Sequence, residues 1–400
     1  METKILKTHT FEPMLIKKAK GSWFWDTKGK KYLDCESGTW VVNLGHNHPK
    51  VVNSIRKQAS KLIHRGMRFL TQEALDAADA LLRFIPNEYE KVTFLNSGSE
   101  AVDFAINFAK KATGKTKILS LKDSYLGAFG VAKEASYTSP FSSKLKIQYP
   151  ECSSEECHCL DEYGALIDMI IDEYSSELAC FALEPIMVSG GIHKPCTKFI
   201  NELCKRLQES GVLIVIDEVT SGFGRTGYRF GYEHFEIYPD VIAIGKPIGN
   251  GYPVSAVVTK SEFETKIPFA DLYYAQSHQL DPIGTAVAST VIQIFEEEEI
   301  IEKSYDRIDQ FNEFFQNLKH PCIKEIRSVG MIFGLEIQNY QTYSSKELIL
   351  RMKDELLKEG IMIGLSLGKD LLRLLPPLTI TEKEINFFKK KFMKVLNLIG

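Results

Sequence analysis

The residues that could do chemistry begin with a lysine and an aspartate, each at the end of a short apolar run. The first run, Val212 to Ile216, leads into Asp217, and the second, Val241 to Ile244, leads into Gly245 and Lys246. Both runs are rich in β-branched residues and bounded by polar or turn residues, which predicts two fully buried strands. Open α/β sheets bind ligands beyond the carboxyl ends of their strands, so we expect the carboxylate and the amine to share a site there.

The surroundings of Lys246 favour a held, reactive amine. Pro247 biases the lysine away from helical backbone, and the glycines at 245, 249 and 251 permit an irregular turn around it. A partly buried amine beside positive charge loses its proton more readily, which suits Schiff-base chemistry. The alternative is an ordinary surface lysine at a strand end, which a lone Gly-Lys pair does not exclude. Other residues along the chain must therefore decide between the two interpretations.

Length and charge bound the function class. Four hundred residues exceed what one core usually supports, so we expect one large domain and a smaller one. A net charge of −3 gives no case for nucleic-acid binding or for a membrane surface. No apolar run approaches the ~18 residues of a membrane span, and the N-terminal residues lack a signal-peptide pattern. With eight cysteines, whose number fits reduced thiols, we expect a cytoplasmic protein.

A phosphate site is predicted where a strand meets a helix. Lys91 to Leu95 reads as the strand, and Asn96-Ser97-Gly98-Ser99 opens a periodic helix over residues 100–113, which Gly114 ends. Free N–H groups and the helix macrodipole favour an anion, serine hydroxyls add donors, and Gly98 permits close approach. The alternative is a plain helix-capping role for a serine.

Other candidate groups follow strands or lie in loops. Tyr125 comes shortly after a predicted strand, Lys117 to Leu121, and Glu184 ends another, residues 177–183. Glu184 is either a placed site group or a loop carboxylate. Trp40 lies in a loop-like segment, where core packing and a substrate-facing role are both open. Strands alternate with helices from about residue 90 to 260, which predicts a mostly parallel, doubly wound α/β sheet.

Beyond residue 300 the pattern changes to that of a separate α+β lobe. Its predicted elements are a helix to Leu318, a strand over 330–337, a helix capped by Ser344 and Glu347, short strands at 361–365 and 371–375, and a last helix capped by Thr381 and Glu384.

Two motifs suggest other chemistry but lack the required context. Residues 222–227 match Gly-x-Gly-x-x-Gly, yet they do not open a helix directly after a strand, as a dinucleotide site requires. Cys152, Cys157 and Cys159 lack paired Cys-x-x-Cys spacing with a matching second half. We therefore expect a solvated loop in an acidic stretch there, and no metal.

Taken together, five motifs resemble those of the class III pyridoxal-phosphate-dependent aminotransferases. In the family's order they are FLNSGSEA (94–101), LEPI (183–186), VIDEVTSGFGRTG (215–227), DVIAIGKPIGNGYPVSA (240–256) and LRLLPPLTIT (372–381). The resemblance covers nearly the whole chain and implies the α/β architecture called fold type I. That architecture has a mostly parallel seven-stranded sheet in a large domain, here residues 49–298, and a small α+β domain, here residues 1–48 and 299–400.

The resemblance implies pyridoxal 5'-phosphate as the cofactor. Lys246 would carry it as an imine and shuttle a proton, and Asp217 would pair with the pyridinium nitrogen. Tyr125 and Val219 would cover the two faces of the ring. The implied cofactor-binding residues are Ser97, Gly98 and Ser99 at the phosphate, together with Tyr125, Glu184, Asp217, Val219, Lys246 and Ser277.

Ser277 enters this set through the partner subunit. The family takes a phosphate contact from a threonine five residues before the proline of an Asn-Pro pair. Here that spacing from Pro282 gives Ser277, and Asp281 replaces the asparagine. The resemblance thus implies a homodimer with a shared active site.

Departures from the family bear on the substrate. Many relatives that bind ω-carboxylates carry His-Gly-Arg-Thr where this chain reads Leu-Gly-Ala-Phe at 126–129. Others use a glutamate, at the position of Ser189, as a switch that holds a substrate arginine. We therefore hypothesise that Arg373 is permanently free to bind a substrate carboxylate, with Trp40 as a second substrate contact.

The implied reaction is amino transfer from an amino acid or amine to a 2-oxo acid by a ping-pong mechanism. An isomerase of the same fold stays open as an alternative: an amino-acid racemase or epimerase, or an aminomutase of the glutamate-1-semialdehyde type. A third class, a protein that keeps the fold only for binding or scaffolding, is disfavoured by the intact Lys246, Asp217 and phosphate loop.

Overall fold

The computed structural model describes residues 4–139, 145–152 and 157–399. Its strands are β1 (Ile16–Lys20), β2 (Trp23–Asp26), β3 (Lys31–Asp34), β4 (Lys91–Leu95), β5 (Lys117–Leu121), β6 (Leu145–Ile147), β7 (Leu178–Leu183), β8 (Leu213–Asp217), β9 (Val241–Ile244), β10 (Ser255–Thr259), β11 (Ile323–Val329), β12 (Ile332–Ile337), β13 (Ile361–Met362), β14 (Gly364–Ser366) and β15 (Leu371–Leu374).

The helices are α1 (Ser37–Trp40), α2 (Pro49–Lys61), α3 (Gln72–Phe84), α4 (Gly98–Thr113), α5 (Gly130–Ala135), α6 (Cys159–Tyr174), α7 (Thr197–Glu209), α8 (Ser261–Thr265), α9 (Phe269–Leu272), α10 (Pro282–Glu297), α11 (Ile300–Gln316), α12 (Ser345–Lys358) and α13 (Glu382–Ile399). Short 3-10 turns cover Gly231–Phe235, Lys246–Ile248 and Leu367–Lys369. Among these described residues, no helix has both the length and the apolar character that crossing a bilayer demands.

The central sheet has seven strands in the order β4-β10-β9-β8-β7-β5-β6. The five strands from β9 to β6 pair in parallel, whereas β10 is antiparallel to both β9 and β4. Every residue of β7, β8, β9 and β10 is buried, because helices cover both faces of the sheet. The predicted mostly parallel α/β sheet is therefore confirmed.

Element bounds agree closely with the sequence patterns in this sheet. β4, β5 and β9 have the predicted limits, and Gly114 ends α4 in a left-handed conformation, with φ of +68°. β8 lies one residue later than predicted, so that Asp217 is its last residue. Residues 222–227 form turns and do not open a helix, so the strand–turn–helix context that a dinucleotide site requires is not found at this motif.

Two smaller sheets complete the fold, in the orders β1-β2-β3-β13 and β11-β12-β15-β14. β3 and β13 run in parallel, with Leu33 opposite Ile361, so strands from both ends of the chain share one sheet. The helix caps at Ser344 and Thr381 form as predicted, with Glu347 and Glu384 as their partners. The two predicted domain boundaries, after residues 48 and 298, stay predictions.

Candidate active site

Lys246 lies directly beyond the end of β9, where it starts a 3-10 turn. Its φ of +39° is a left-handed conformation that is unfavourable for a residue with a Cβ, and such strain often marks functional positions. The Nζ atom donates a hydrogen bond to Oγ1 of Thr220 at 2.6 Å and lies 4.9 Å from the centre of the Trp40 ring. The amine is thus held by backbone and side chains together, as the sequence predicts.

Two buried carboxyl groups face this amine. Burial raises the pKa of Asp217 to about 7, against the opposing effects of the Val219 N–H and of Lys246. Burial also raises the pKa of Glu184 well above its usual range. Conversely, burial lowers the pKa of Lys246, although both carboxyl groups counteract that shift. The three groups interact, so the pKa of each depends on the charge of the other two.

Three residues behind the amine pack with almost no spare room. A Cβ added to Gly98 would lie 2.5 Å from Cγ1 of Val219, and one added to Gly245 would lie 3.1 Å from the same atom. Val219 itself is 8% exposed. We call Gly98, Asp217, Val219 and Lys246 the cofactor cradle. The space between these residues is narrow, because a Cβ at position 98 would clash with Val219 and one at position 245 would require a shift of a few tenths of an ångström.

The start of α4 adjoins this cradle. The Ser97 hydroxyl caps the helix by accepting the Glu100 N–H at 3.2 Å, so the alternative capping role is observed. The Ser99 hydroxyl accepts the Ala128 N–H at 3.1 Å. Both hydroxyls still have a hydrogen to donate, and the first-turn N–H groups of a helix lack intrahelical acceptors. The helix start therefore retains the donors that an anion requires.

Tyr125 lies in the segment after β5, as predicted, and Glu184 fixes it. The Glu184 carboxylate accepts the Tyr125 backbone N–H at 2.5 Å. The ring is half-buried, and burial raises the pKa of its hydroxyl. Glu184 is thereby a placed group rather than a loop carboxylate, and it acts on the ring through the backbone.

Trp40 ends an unusual turn. Residues 37–40, which form α1, all have positive φ, between 43° and 68°, so the turn is left-handed although three of its four residues carry a Cβ. The Trp40 ring is 5% exposed and packs on Ile186 and Leu371 in a small apolar cluster. Its ring face also lies 4.7 Å from the guanidinium carbon of Arg373. Both roles that the sequence left open, core packing and facing the site, are met.

Arg373 does not stand free, and the hypothesis that it is permanently available is wrong. Its Nη2 lies 3.9 Å from Oε1 of Glu36 and donates to the Leu365 carbonyl at 2.9 Å. A carboxylate from the N-terminal part of the chain thus lies beside Arg373. The pair is loose, because Oε1 of Glu36 and Nε of Arg373 are buried without a hydrogen bond among the described residues. We call Glu36, Trp40 and Arg373 the carboxylate pocket.

Ser277 does not join the other residues in the described chain. It is exposed, in a turn before α10. Asp281, four residues later, accepts hydrogen bonds from His64 at 2.8 Å and His278 at 2.5 Å. These histidines anchor the turn that carries Ser277 on the surface.

The cradle fits a pyridine ring with a phosphate. Asp217 is a 6% exposed carboxyl whose single hydrogen bond among the described residues comes from the Val219 N–H at 2.9 Å, which leaves it able to accept a protonated ring nitrogen. The Lys246 amine, a helix start and an aromatic side chain surround the same space. This donor and acceptor set matches an aldehyde, an aromatic cation and an anion on one small molecule.

Three residues near the site had no predicted role. Thr220 accepts a hydrogen bond from Lys246. Its place three positions after Asp217, at the carboxyl end of a predicted strand, was a signal that could have identified it. Glu218 accepts from the Ser221 hydroxyl and two backbone N–H groups, and burial raises its pKa to about 8.

Arg225 is the third. It is fully buried, and it donates to the Pro376 carbonyl at 2.6 Å and to the Ser37 hydroxyl at 3.1 Å, with a further short bond to Asn43. Burial lowers its pKa to about 9. The guanidinium thus binds the left-handed turn through Ser37. The glycine-rich motif at 222–227 carries this arginine, and the spacing of its residues alone does not predict that role.

Comparison with known proteins bears directly on this arrangement. The family model described as aminotransferase class-III matches residues 6–396. The acetylornithine aminotransferase of Methanosarcina mazei is 32% identical over 391 residues, covering 96% of this chain and 91% of that protein. The leucine/methionine racemase of Thermococcus litoralis is 31% identical over 405 residues, covering 94% and 88% respectively. A solved aminotransferase of Bacillus anthracis superimposes with a TM-score of 0.87 at 26% identity, covering 99% of this chain and 96% of that one.

Proposed function

The chain belongs to the class III aminotransferase family, and on that premise we propose that Lys246 and Asp217 operate its pyridoxal-phosphate-dependent amino transfer. Enzymes of this class move an amino group between an amino donor and an oxo-acid acceptor. The observation that carries the assignment of residues is the convergence of a strained, half-buried lysine with a buried aspartate at the carboxyl edge of the central sheet.

The cofactor cradle would hold the ring, and the start of α4 would hold the phosphate. Pyridoxal 5'-phosphate, when bound, supplies an aldehyde that condenses with amines and a ring that withdraws electrons from the substrate Cα. Asp217 would keep a proton on the ring nitrogen by a charge-assisted hydrogen bond. Val219 and Tyr125 would cover the ring, and Gly98 and Ser99, with Ser97 beside them, would donate to the phosphate.

Lys246 has two tasks that follow from its environment. Its lowered pKa increases the share of unprotonated Nζ, which is the form that attacks a carbonyl carbon. The same Nζ would then take the substrate Cα proton and deliver it to the carbon that derives from the cofactor's aldehyde. Thr220 holds the amine in line through the 2.6 Å hydrogen bond, which limits the directions in which the proton can move.

Arg373 would receive the substrate carboxylate once Glu36 is displaced. A guanidinium forms two parallel bonds with a carboxylate, and the loose 3.9 Å pair with Glu36 is a weak competitor for it. Trp40, whose ring centre lies 4.7 Å from the Arg373 guanidinium carbon and 4.9 Å from Nζ of Lys246, would set the distance from the carboxylate end of the substrate to its reacting carbon. This geometry supports a donor–acceptor pair in which at least one of the two substrates carries a carboxylate.

A homodimer with a shared active site is part of the proposal. Large apolar side chains stand exposed near the Ser277 turn: Ile63 at 63%, Phe69 at 67%, Leu70 at 68% and Phe269 at 79%. Arg65 ties this patch to the turn by donating to the Leu280 and Gln279 carbonyls at 3.2 and 2.8 Å. Patches of this kind mark interfaces, and a two-fold axis here would bring Ser277 to the partner's phosphate. Sedimentation should give twice the 45.3 kDa chain mass, and a monomer would exclude this element.

A cytoplasmic location completes the proposal. The eight cysteines of the chain are free thiols, as expected in a reducing compartment. Fractionation of cells that produce the protein with its own termini should recover it with cytoplasmic markers.

Racemisation is the second candidate, favoured by the 31% identical leucine/methionine racemase. A half-reaction separates the two. The holoenzyme is mixed with one amino donor and no acceptor, across a panel of amino acids and amines. Amino transfer predicts stoichiometric release of oxo product and conversion of the cofactor to its amine form. Retention of the aldehyde form together with loss of optical activity in the donor would instead identify a racemase.

A further inference from the structure

Four cysteines from distant parts of the chain converge at the starts of two helices. The thiol sulfurs of Cys152, Cys157, Cys159 and Cys196 all lie within 4.8 Å of one another. Sγ of Cys196 is 3.3 Å from that of Cys157 and 3.2 Å from that of Cys159. All four are free thiols. The predicted solvated loop is therefore wrong for Cys159, which is buried, as is Cys196.

The arrangement has the size of a tetrahedral thiolate site. Zinc–sulfur bonds of about 2.3 Å place the corners of a tetrahedron roughly 3.8 Å apart. Two of the observed sulfur separations, 3.2 and 3.3 Å, are slightly shorter than that value, and all lie within 4.8 Å. Cys196 completes the set from 37 positions beyond Cys159, which is why the spacing of the first three cysteines alone did not reveal it.

The surrounding backbone places the cluster beside two helix starts. Cys159 is the first residue of α6, and Cys196 is the residue immediately before α7. Both sulfurs therefore sit at the positive end of a helix dipole. The Cys159 N–H donates to Sγ of Cys157 at 3.3 Å, the kind of backbone bond that orients a metal ligand. Lys194 and Lys198 flank Cys196 in sequence and supply positive charge near a site of four thiolates.

We propose that Cys152, Cys157, Cys159 and Cys196 bind one zinc ion per chain as a closed structural site. The thiols give up their protons to solvent on binding, and the ion changes neither its oxidation state nor any covalent bond of the chain. Four protein ligands fill the coordination sphere, so the site has no open position for a substrate.

The zinc site would fix a segment that reaches the active site. The Cys196 N–H donates to the Pro150 carbonyl at 2.7 Å, and the Tyr149 hydroxyl donates to Oδ2 of Asp123 at 3.1 Å. Asp123 lies two residues before Tyr125. The ion would thus tie the starts of α6 and α7 to the loop that carries the stacking ring, while it stays apart from the cofactor cradle.

The test is metal content of the intact holoenzyme. The wild-type chain, Cys157→Ser, Cys196→Ser and Cys204→Ser are purified with a non-chelating reductant from medium that contains zinc. Native and elemental mass spectrometry should give one zinc per wild-type chain. Cys157→Ser and Cys196→Ser should lose the zinc. Cys204→Ser, which changes a buried cysteine inside α7, should keep it.

A second measurement on the wild type covers variants that fail to fold. Removal of zinc with a chelator should make four additional thiols reactive, and cobalt in its place should give the strong absorption of tetrahedral thiolate coordination. Wild-type protein without zinc, equal zinc in the cluster variants, or disulfides among these cysteines in non-reducing peptide maps would each overturn the proposal. Because the cofactor spectrum is recorded on the same samples, loss of zinc binding and loss of amino transfer are distinguished.

Discussion

The cofactor cradle and the carboxylate pocket are built by different means. The cradle depends on the backbone. Its parts are glycines at which a Cβ would press on Val219, a strand end that carries Asp217, and a strained φ at Lys246. The pocket depends on long side chains from two ends of the chain, joined by a loose ion pair at 3.9 Å. Side chains at Glu36 and Arg373 can move by rotamer changes, whereas the cradle can move only with the sheet.

The difference suggests which half of the site is general and which is specific. Chemistry on one fixed cofactor needs groups held within fractions of an ångström, which rigid strands supply. Two substrates that alternate in one pocket need groups that can be displaced. Changes in the cradle should therefore act on rate and on cofactor binding, and changes in the pocket should act on KM.

The sharpest test of this contrast removes the amine. Lys246→Ala should lower the rate of amino transfer on the order of 10⁴-fold, because both the attacking nitrogen and the proton carrier are lost. Single-turnover kinetics with added cofactor measures the effect. The exposed Lys266→Ala serves as the control. Activity within tenfold of the wild type would mean that another group carries the proton.

Arg373→Ala should act on binding rather than on rate. Loss of the charge-assisted bonds to a carboxylate costs about 2–3 kcal/mol, or roughly 30- to 150-fold in KM for carboxylate substrates. Amines without a carboxylate should be unaffected, which provides an internal control. Equal losses for both substrate types would show that Arg373 supports the fold instead.

Gly98→Ala should weaken the cofactor rather than the substrate. The new Cβ would lie 2.5 Å from Cγ1 of Val219, and overpacking of about 2 kcal/mol corresponds to roughly 30-fold in cofactor Kd. Gly164→Ala, on α6 with open space around it, is the matched control and should raise helix stability. Because Val219 would also pack on the ring, the double variant Gly98→Ala, Val219→Ala is compared with Val219→Ala alone. Gly98→Ala should cost little affinity in that background, and an undiminished loss would exclude this contact as the cause.

Stability of the cofactor-free protein should depend on Asp217. Since burial raises its pKa to about 7, the folded state keeps a proton that the unfolded state loses above about pH 4. The contribution of Asp217 to the free energy of unfolding should therefore fall by about 2 kcal/mol from pH 5 to 7 and level off above. Asp217→Asn should flatten this slope in denaturant titrations. Glu218→Gln is the comparison, and identical slopes in wild type and Asp217→Asn would refute the assignment.

The smallest effect is expected at Glu36. Glu36→Gln removes the charge that competes for Arg373, which is worth about 0.5–1 kcal/mol for a loose pair, so KM for carboxylates should drop about threefold. Steady-state kinetics over a carboxylate series measures it. A rise in KM would mean that Glu36 orients Arg373 rather than competes with it.

The same contrast explains how far sequence reasoning reaches. β4 and β9, the caps at Ser344 and Thr381, and the place of Lys246 follow from short-range patterns, since strand ends and caps are decided by neighbours in sequence. The pairing of Glu36 with Arg373 depends on the left-handed turn at 37–40, for which the side chains give no local signal. Cys196 beside Cys157 and the partners of Arg225 are likewise consequences of tertiary packing alone.

The parallel pairing of β3 with β13 has a consequence during synthesis. Leu33 meets Ile361, so a ribosome must add more than three hundred residues before this edge can close. At about 5–20 residues per second, the first hairpin waits for roughly 16 to 65 s with an open edge. Nascent chains should therefore present that edge to chaperones, and the lobe shared by the two termini should be the last part of the protein to acquire protease resistance.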